Sequence, residues 1–260
     1  MNPLRAFNPS SWRRLGQRVR DRATDLALKR INLGWKLKSG ISVRIATLGD
    51  WTVFSDIFAE GEYDIAIEAV ASRSESRALN ILDLGANVGF FSARVAHVLL
   101  TRGVKSFQIT CIEGSPTVYS ELKRRIQASP PLAERTKLVQ GLVGLRQGTA
   151  AIADSPFHPM TSIFSPASDG VSVAYVDLDR VVDPNSPIDL VKCDIEGAEQ
   201  QFLETYPQLL ERTHLAIFEF HHDKCDTARC RELLSRSGLV HKQTIVDGPY
   251  TALQFFAREA

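Results

Sequence analysis

Long apolar runs are missing from this 260-residue sequence, and their absence excludes one large class of proteins. No apolar stretch approaches the roughly 20 residues that a membrane-spanning helix needs. The N-terminus also lacks the apolar core of a secretory signal peptide. From these two absences we expect a cytoplasmic protein without a membrane span.

Cysteine is scarce as well, with four residues at irregular spacing. Cys111 and Cys193 lie in apolar, strand-like runs, which predicts reduced and buried thiols instead of a disulfide framework. A His-His-x2-Cys-x4-Cys segment at 221–230 matches no common zinc-binding spacing. Internal repeats are absent too, and the ordinary composition, 44% hydrophobic and 23% charged, suits one α/β domain with additions.

Charge is distributed unevenly although the net charge is only +1. Residues 1–38 carry ten Lys and Arg against two Asp, a net charge of +8, so the remainder carries −7. An acidic body does not favour nucleic acid, and we predict no such partner. Residues 1–40 are predicted to form a basic amphipathic helix that runs to about Leu37. That helix either docks on the acidic body or lies on an anionic membrane surface.

Residues 41–75 are predicted as a second unit, a cap that shapes the substrate site. Residues 41–46 alternate between apolar and polar as a strand does. Further on, two acids and an aromatic side chain cluster between helical stretches, at Glu62, Tyr63 and Asp64. They could line a ligand site, and a helix-loop-helix with solvated acids fits the pattern equally well. Residues 76–260 form the third predicted unit, a nucleotide-binding α/β domain.

The strongest pattern spans residues 80–91, Asn-Ile-Leu-Asp-Leu-Gly-Ala-Asn-Val-Gly-Phe-Phe. An apolar run ends at Asp83, two glycines follow, and helical spacing begins, which predicts a strand, a tight turn and a helix. Gly85 suits a backbone angle that other residues resist, and Gly89 would let the helix start lie close to a ligand. Because Asn87 replaces the second glycine, the dinucleotide fingerprint is not matched, and the P-loop lysine is absent. The segment resembles motif I of S-adenosylmethionine (SAM) methyltransferases.

Two later strands also end in acids. A carboxylate at Glu113 could accept hydrogen bonds from both hydroxyls of a ribose. Asp194 and Glu196 follow another apolar run, with Glu199 close behind. Three acids within six residues require a cation, a proton or backbone N–H groups to offset their repulsion. The next strand ends in Phe-Glu-Phe-His-His, which places His221 at its tip.

Together these patterns resemble the FkbM family of SAM-dependent methyltransferases. The resemblance rests on four segments in a fixed order, at 83–89, 111–114, 189–199 and 218–221. It covers roughly residues 45–258, and its most specific piece is Lys-x-Asp-Ile-Glu-Gly-Ala-Glu at 192–199. The resemblance implies an α/β, Rossmann-like class I fold: a seven-stranded, mostly parallel sheet with an antiparallel last strand and helices on both faces. It also implies SAM as cofactor and methyl transfer to an oxygen.

The resemblance to the FkbM family also implies roles for single residues. It implies these cofactor-binding positions: Tyr63, Asp83, Gly85, Ala86, Asn87, Gly89, Glu113, Gly114, Ser115 and Asp194. It also places Asp194 and Glu196 at the edge of the methyl-donor pocket.

The base that removes the acceptor proton is less well specified. A hydroxyl oxygen becomes a good nucleophile only as its proton leaves, so a nearby base is expected. His221 has an intrinsic pKa in the right range, and Asp194 and Glu196 compete with it for the role. A structural, hydrogen-bonded histidine is equally compatible with the pattern. The same acids could hold Mg²⁺, but we assign no metal to the chain.

We therefore expect a SAM-dependent O-methyltransferase that acts on a hydroxyl of a small acceptor, with sugars and natural-product scaffolds as acceptor classes. Two alternatives are an NAD(P)-dependent oxidoreductase on a similar sheet and a non-catalytic SAM-binding protein. Asn87 opposes the first, and the acids at three strand tips oppose the second. The loop at 145–170 and the segment at 50–70 are expected to shape the acceptor site. The acceptor itself and the oligomeric state stay open.

Overall fold

A computed structural model describes residues 24, 26–28, 30, 31, 33–73, 77–153 and 170–259. The strands in chain order are β1 (Leu33–Lys36), β2 (Ser42–Ile45), β3 (Leu79–Leu84), β4 (Phe107–Glu113), β5 (Thr136–Gln140), β6 (Thr149–Ile152), β7 (Val171–Ala174), β8 (Ile188–Cys193), β9 (Thr213–His221), β10 (Leu239–Asp247) and β11 (Thr251–Arg258). The helices are α1 (Leu48–Phe54), α2 (Asp64–Ala71), α3 (Phe90–Thr101), α4 (Pro116–Gln127), α5 (Pro130–Ala133), α6 (Leu178–Val181), α7 (Glu199–Thr205), α8 (Pro207–Glu211) and α9 (Thr227–Arg236). A π-helical turn, Ser55–Ala59, continues α1.

Seven strands form the central sheet, in the order β10-β11-β9-β8-β3-β4-β5. The pairs from β9 through β5 are parallel, whereas β11 runs antiparallel to both of its neighbours. This arrangement confirms the predicted sheet, including its antiparallel last strand. The apolar runs explain the central position of β3 and β8, because parallel strands that are covered on both faces consist mostly of buried residues.

Helices cover both faces of the sheet, so the core has two halves. One half combines residues of β3, β8 and β9 with residues of α2 and α3: Ile81, Leu190, Ile217, Ile67 and Val95. The other half combines the alternate residues of the same strands with α7 and α9: Leu82, Val191, Phe218, Phe202 and Leu234. This two-sided covering places the charged residues at the strand ends, where the helices leave an edge open.

The segment predicted as a cap is built into the first half of the core. The hairpin of β1 and β2 leads into α1, which starts with a capping box between Thr47 and Asp50. Its buried apolar side chains belong to the same cluster as those of β3: Ile41, Val43, Ile45, Ile57, Ala66 and Val70. The segment therefore packs on the face of the sheet that α3 also covers. Its role as a cap over the substrate stays a prediction.

One expectation about local structure needs correction. The helix that was predicted to run to about Leu37 ends earlier, because Leu33–Lys36 pair as a strand with Ser42–Ile45. Outside the central sheet, β7 also pairs with β6 in a separate two-stranded sheet. Most of residues 1–40 and the loop positions 154–169 lie outside the described residues. Among the described residues, no helix has the length and apolar character that crossing a membrane requires.

Candidate active site

One face of the sheet is crowded with polar groups where the parallel strands end. Side chains alternate along a strand, and Ile81, Leu190 and Ile217 mark the face that α2 and α3 cover. The same alternation puts a series of polar residues on that face at the carboxyl ends of the strands: Asp83, Glu113, Lys192, Asp194, Glu219 and His221. In a doubly wound fold this edge is where ligands bind.

The turn after β3 packs tightly against the residues that follow β8. Gly85 has a φ of +72°, and a Cβ at this position would overlap the carbonyl oxygen of Asp194. Asn87 also has a positive φ, +49°, and its Oδ1 accepts the backbone N–H of Val88 at 2.7 Å. Asparagine tolerates this conformation through such local hydrogen bonds. The predicted conformational need for glycine at position 85 is confirmed, and its neighbour there is the backbone of Asp194.

Gly89 lies where the start of α3 packs against a neighbouring helix, and its predicted closeness to a ligand stays a prediction. Its φ is +91°, and it stands immediately before α3. A Cβ here would lie 2.8 Å from Cδ1 of Leu122 and 3.5 Å from Cδ1 of Ile126, both on α4. The space that this glycine leaves is filled by α4, so Gly89 permits two helices to pack closely.

Glu113 at the end of β4 is fixed by two backbone N–H groups. Its Oε2 accepts the N–H of Asn87 at 2.9 Å, and its Oε1 accepts the N–H of Ser115 at 2.8 Å. Burial raises the pKa of Glu113, and these two hydrogen bonds oppose that rise. Each carboxylate oxygen retains a lone pair for a further donor. The carboxylate is therefore oriented to accept hydrogen bonds from ribose hydroxyls.

A cavity opens between the β3 turn, the end of β4 and the loop after β8. Seven of the predicted site residues line it: Gly85, Asn87, Glu113, Gly114, Ser115, Asp194 and Glu196. Its apolar wall consists of Ile112, Val118, Leu142, Val143, Ile152 and Ile195. A fixed carboxylate beside an apolar wall fits the ribose and adenine of SAM. The other five predicted residues lie outside this lining: Tyr63, Asp83, Ala86, Gly89 and His221.

Asp83 lies beneath the turn and is fully buried. Its Oδ2 accepts the hydroxyl of Ser92 at 2.6 Å, and its Oδ1 lies 3.6 Å from Nζ of Lys192. Burial raises the pKa of Asp83, while Lys192 and the Ser92 hydrogen bond lower it. The side chain supports the turn from below and does not face the cavity.

The loop after β8 turns sharply and offsets its own acidic charge. Glu196 and Gly197 have φ values of +57° and +104°. Oε1 of the fully buried Glu199 accepts the backbone N–H groups of Gly197 at 3.0 Å and Ile195 at 3.3 Å. Oε2 of Glu196 lies 3.4 Å from Nζ of Lys224. Backbone N–H groups and an ammonium group thus offset the repulsion among the acids.

His221 lies between two carboxylates at the end of β9. Its Nδ1 is 2.9 Å from Oε1 of Glu199, and its Nε2 is 3.3 Å from Oε2 of Glu196. Burial lowers the pKa of His221, but the hydrogen bonds to Glu196 and Glu199 outweigh burial and raise it to about 11. At neutral pH both ring nitrogens therefore carry protons. A base must be free to take a proton, so this arrangement does not fit the role that the intrinsic pKa suggested.

Glu219 was not among the predicted site residues, yet it lies beside Asp194. Strands β8 and β9 pair in parallel with Cys193 opposite Phe218. The residues that follow this pair, Asp194 and Glu219, are therefore neighbours on one face. The Asp194 carboxylate and then burial raise the pKa of Glu219 to about 8. Its two-residue spacing from His221 on one strand was the signal in the sequence that could have identified it.

Tyr63 brings the N-terminal segment to the same edge. The residue is buried, and its ring packs edge-on against Phe91 with 5.4 Å between ring centroids. Burial raises the pKa of Tyr63, and the carboxylates of Asp194 and Glu219 raise it further. The phenol therefore lies within the electrostatic reach of the acidic pair and not in the lining of the cavity.

Three residues at this edge could in principle hold a cation. Asp194, Glu196 and His221 each offer one ligand atom, and these atoms lie within 4.8 Å of one another. Positive groups already face them, since Lys192 lies 3.5 Å from Asp194 and Lys224 lies 3.4 Å from Glu196. A divalent cation would have to displace these charges and the proton on His221, so we assign no metal ligands here.

Comparison with known protein families decides the class of enzyme. The family model described as "Methyltransferase FkbM domain" matches residues 46–239, more than half of the chain. The chain belongs to the FkbM methyltransferase family. It is therefore a SAM-dependent methyltransferase, and the oxidoreductase and the non-catalytic binding protein are set aside. A search of curated protein sequences found no match.

Solved structures with a similar fold have low sequence identity to this FkbM methyltransferase. Magnesium protoporphyrin IX methyltransferase from Synechocystis PCC 6803, solved with bound SAM, is 12% identical, with a TM-score of 0.49 and coverage of 82% of this chain and 84% of that chain. Aeropyrum pernix fibrillarin, in complex with SAM, is 11% identical, with a TM-score of 0.47 and coverage of 87% and 82%. An O-methyltransferase family protein from Burkholderia thailandensis is 11% identical, with a TM-score of 0.46 and coverage of 81% and 59%.

Proposed function

We propose that this enzyme transfers the methyl group of SAM to a hydroxyl oxygen of a small acceptor, with sugars and natural-product scaffolds as the acceptor classes. The neighbouring carboxyl groups of Asp194 and Glu219 are the observation that carries this proposal. A hydroxyl acceptor must lose its proton as it attacks, and an acid–base group works best when its pKa lies near the operating pH. Glu219, with a pKa raised to about 8, meets that requirement.

The proposed cofactor site follows from the lining of the cavity. When bound, SAM supplies an electrophilic methyl group on a positively charged sulfur. In the proposal, Glu113 holds the ribose hydroxyls, and the backbone around Gly85 and Asn87 forms the wall next to them. Asp194 contributes negative charge at the other side of the cavity, where a cationic ligand is favoured. Ala86, Gly89 and Asp83 shape the turn from behind without reaching the ligand, and Tyr63 stands beside the acidic pair.

The proposed proton acceptor is the acidic pair and not the histidine. As the pH rises through about 8, Glu219 reaches the carboxylate form that can take a hydroxyl proton. The Asp194 charge is the main reason for this late ionisation. In the proposal, His221 positions Glu196 and Glu199 through its two protonated ring nitrogens. Glu196 lines the cavity, and in the proposal it lies between the cofactor and the acceptor.

A panel of hydroxylated acceptors, assayed with radiolabelled SAM, tests the reaction type. We expect a methyl ether product and turnover that rises with pH through about 8. Glu219→Gln should lower turnover by about 10²- to 10⁴-fold, the usual contribution of a general base, and remove the pH-dependent rise. Glu232→Gln on α9, an exposed glutamate paired with Arg229, is the matched control for loss of one carboxylate and should behave like the wild type.

Product analysis separates the possible outcomes. A methyl group found on nitrogen or carbon of the acceptor would overturn the proposed oxygen chemistry. An ether product together with full turnover in Glu219→Gln would return the role of the base to Asp194 or Glu196.

Three further expectations remain predictions. They are the absence of a nucleic-acid partner, a cytoplasmic location, and contact of the basic segment at 1–40 with a membrane surface. The positions of that segment lie mostly outside the described residues.

A further inference from the structure

We infer that Lys192 is a positioning residue for the cofactor: its buried ammonium group ties the β3 turn to the acidic edge and supplies the positive charge that offsets the carboxylates there. The inference requires SAM as the cofactor and is independent of the acceptor proposed above. Lys192 stands in β8, a strand in which every residue is buried. Such a position is expensive for an ammonium group unless hydrogen bonds and opposite charges surround it.

The contacts of Lys192 join two separate elements of the site. Its Nζ donates to the carbonyl oxygens of Gly85 at 2.6 Å and Leu84 at 3.3 Å, at the end of β3. The same Nζ lies 3.6 Å from Oδ1 of Asp83 and 3.5 Å from Oδ2 of Asp194. Gly85 and Asp194 both line the cofactor cavity, whereas Lys192 does not. Its influence on a ligand therefore passes through these neighbours.

Lys192 stays charged in these surroundings. Burial by itself would lower the pKa of Lys192, but the carboxylates of Asp194, Asp83 and Glu219 outweigh burial and raise it. The influence is mutual, since Lys192 counteracts the rise that burial causes in the pKa of Asp83 and of Glu113. The titratable groups that interact with Lys192 lie on β3, β4, β8 with the loop that follows it, and β9. They are Asp83, Cys111, Glu113, Cys193, Asp194 and Glu219.

Removing this positive charge has a predictable sign. Lys192 lowers the pKa of Glu219, so without the ammonium group Glu219 ionises at a higher pH than in the wild type. At pH 6 Glu219 is protonated in both proteins, and the loss of affinity comes from the loosened β3 turn alone. At pH 9 Glu219 is mostly a carboxylate in the wild type and less so in the variant, so the wild type gains an attraction to the positively charged ligand that the variant lacks. A purely structural role for Lys192 would weaken binding by the same factor at every pH.

Calorimetric titration with SAM from pH 6 to pH 9 tests this inference with no acceptor present. We expect Lys192→Gln to bind SAM about threefold more weakly than the wild type at pH 6 and about tenfold more weakly at pH 9, because a shift of one pKa unit corresponds to at most a tenfold factor. Glutamine removes the charge and keeps an N–H donor, on a side chain that is one bond shorter than that of lysine. Lys192→Arg keeps the charge and should show a loss that does not vary with pH.

A loss of affinity in Lys192→Gln that is the same at all pH values would overturn the inference, as would unchanged affinity. If Lys192→Gln does not fold, because Asp83 is left buried without its cation, SAM binding to the double variant Asp83→Asn/Lys192→Gln is measured instead, with the same expected dependence on pH. Failure of the proposed oxygen chemistry would appear only in the methylated product of the wild type, so the two failures are distinguishable.

Discussion

Carboxylates and cations meet at both ends of strand β8, but their geometry differs between the two ends. At its start, the fully buried Asp189 accepts two hydrogen bonds from the guanidinium group of Arg77, both at 2.8 Å, and one from the backbone N–H of Asn80 at 2.8 Å. At its end, Lys192 lies 3.6 Å and 3.5 Å from the carboxylates of Asp83 and Asp194.

The difference separates a structural ion pair from a functional charge cluster. At the start of β8 both oxygens of one carboxylate accept hydrogen bonds from one guanidinium group, and this bidentate geometry satisfies both groups. At the end, several carboxylates share one ammonium group at longer distances, and the pKa of Glu219 rises to about 8 as a result of the Asp194 charge and burial. Perturbed groups of this kind, beside a cavity, are typical of functional sites.

Of the changes at the two ends of β8, Asp194→Asn at the functional end has the largest expected effect. We expect turnover to fall about 10²- to 10³-fold, because the substitution removes the charge beside the cofactor cavity and the partner that raises the pKa of Glu219. The free energy of unfolding should change by about 1 kcal/mol or less, because the lost attraction to Lys192 is offset by relief of the repulsion between Asp194 and Glu219. Steady-state kinetics and urea unfolding measure the two quantities on the same protein.

Asp189→Asn at the structural end should give the opposite pattern. Neutralising the buried carboxylate removes the negative charge that Arg77 and Arg73 both contact, and we expect a loss of about 3 kcal/mol in the free energy of unfolding. The SAM affinity of the folded variant should stay at the wild-type value. If Asp189→Asn lowered SAM affinity and left the free energy of unfolding unchanged, the start of β8 would not be a purely structural ion pair.

A smaller effect, in the pH dependence of stability, is expected from His221. Its folded pKa of about 11 exceeds the unfolded value of roughly 6.5, so its stabilising contribution is complete below pH 6.5 and is lost as the pH rises toward 11. Between pH 7 and pH 9, the wild type should therefore lose about 2 kcal/mol more unfolding free energy than His221→Gln. Urea unfolding at pH 7, 8 and 9 measures this difference.

His221 lowers the pKa of Glu219, so the titration of Glu219 also differs between the two proteins. The same comparison between Glu219→Gln and Glu219→Gln/His221→Gln leaves only the ring to titrate. Parallel pH curves in that second pair would show that the ring is not held in its protonated form by Glu196 and Glu199. In that case His221 would return as the candidate base.

The sequence by itself determined the sheet and the cofactor. Apolar runs of strand length that end in acids, each followed by a helical pattern, specify parallel strands covered on both faces, because such strands are buried throughout. The glycine spacing in the β3 turn did not match a dinucleotide site, and the resemblance of the segment to motif I implied SAM. Local patterns sufficed here, since backbone angles and burial depend on neighbouring residues. The sequence failed at Leu33–Lys36, where pairing with a second strand overrode the helical pattern.

Tertiary structure alone decided how the charged groups combine. Asp194 and Glu219 become neighbours only through the parallel register of β8 and β9. Lys192 reaches the turn of β3 only because those strands are adjacent in the sheet. The pKa of a group depends on the charges and the solvent around it in space, and no spacing along a chain reveals which strands will lie side by side. For the same reason the sequence suggested a free base at His221, where the fold supplies two carboxylates that keep the ring protonated.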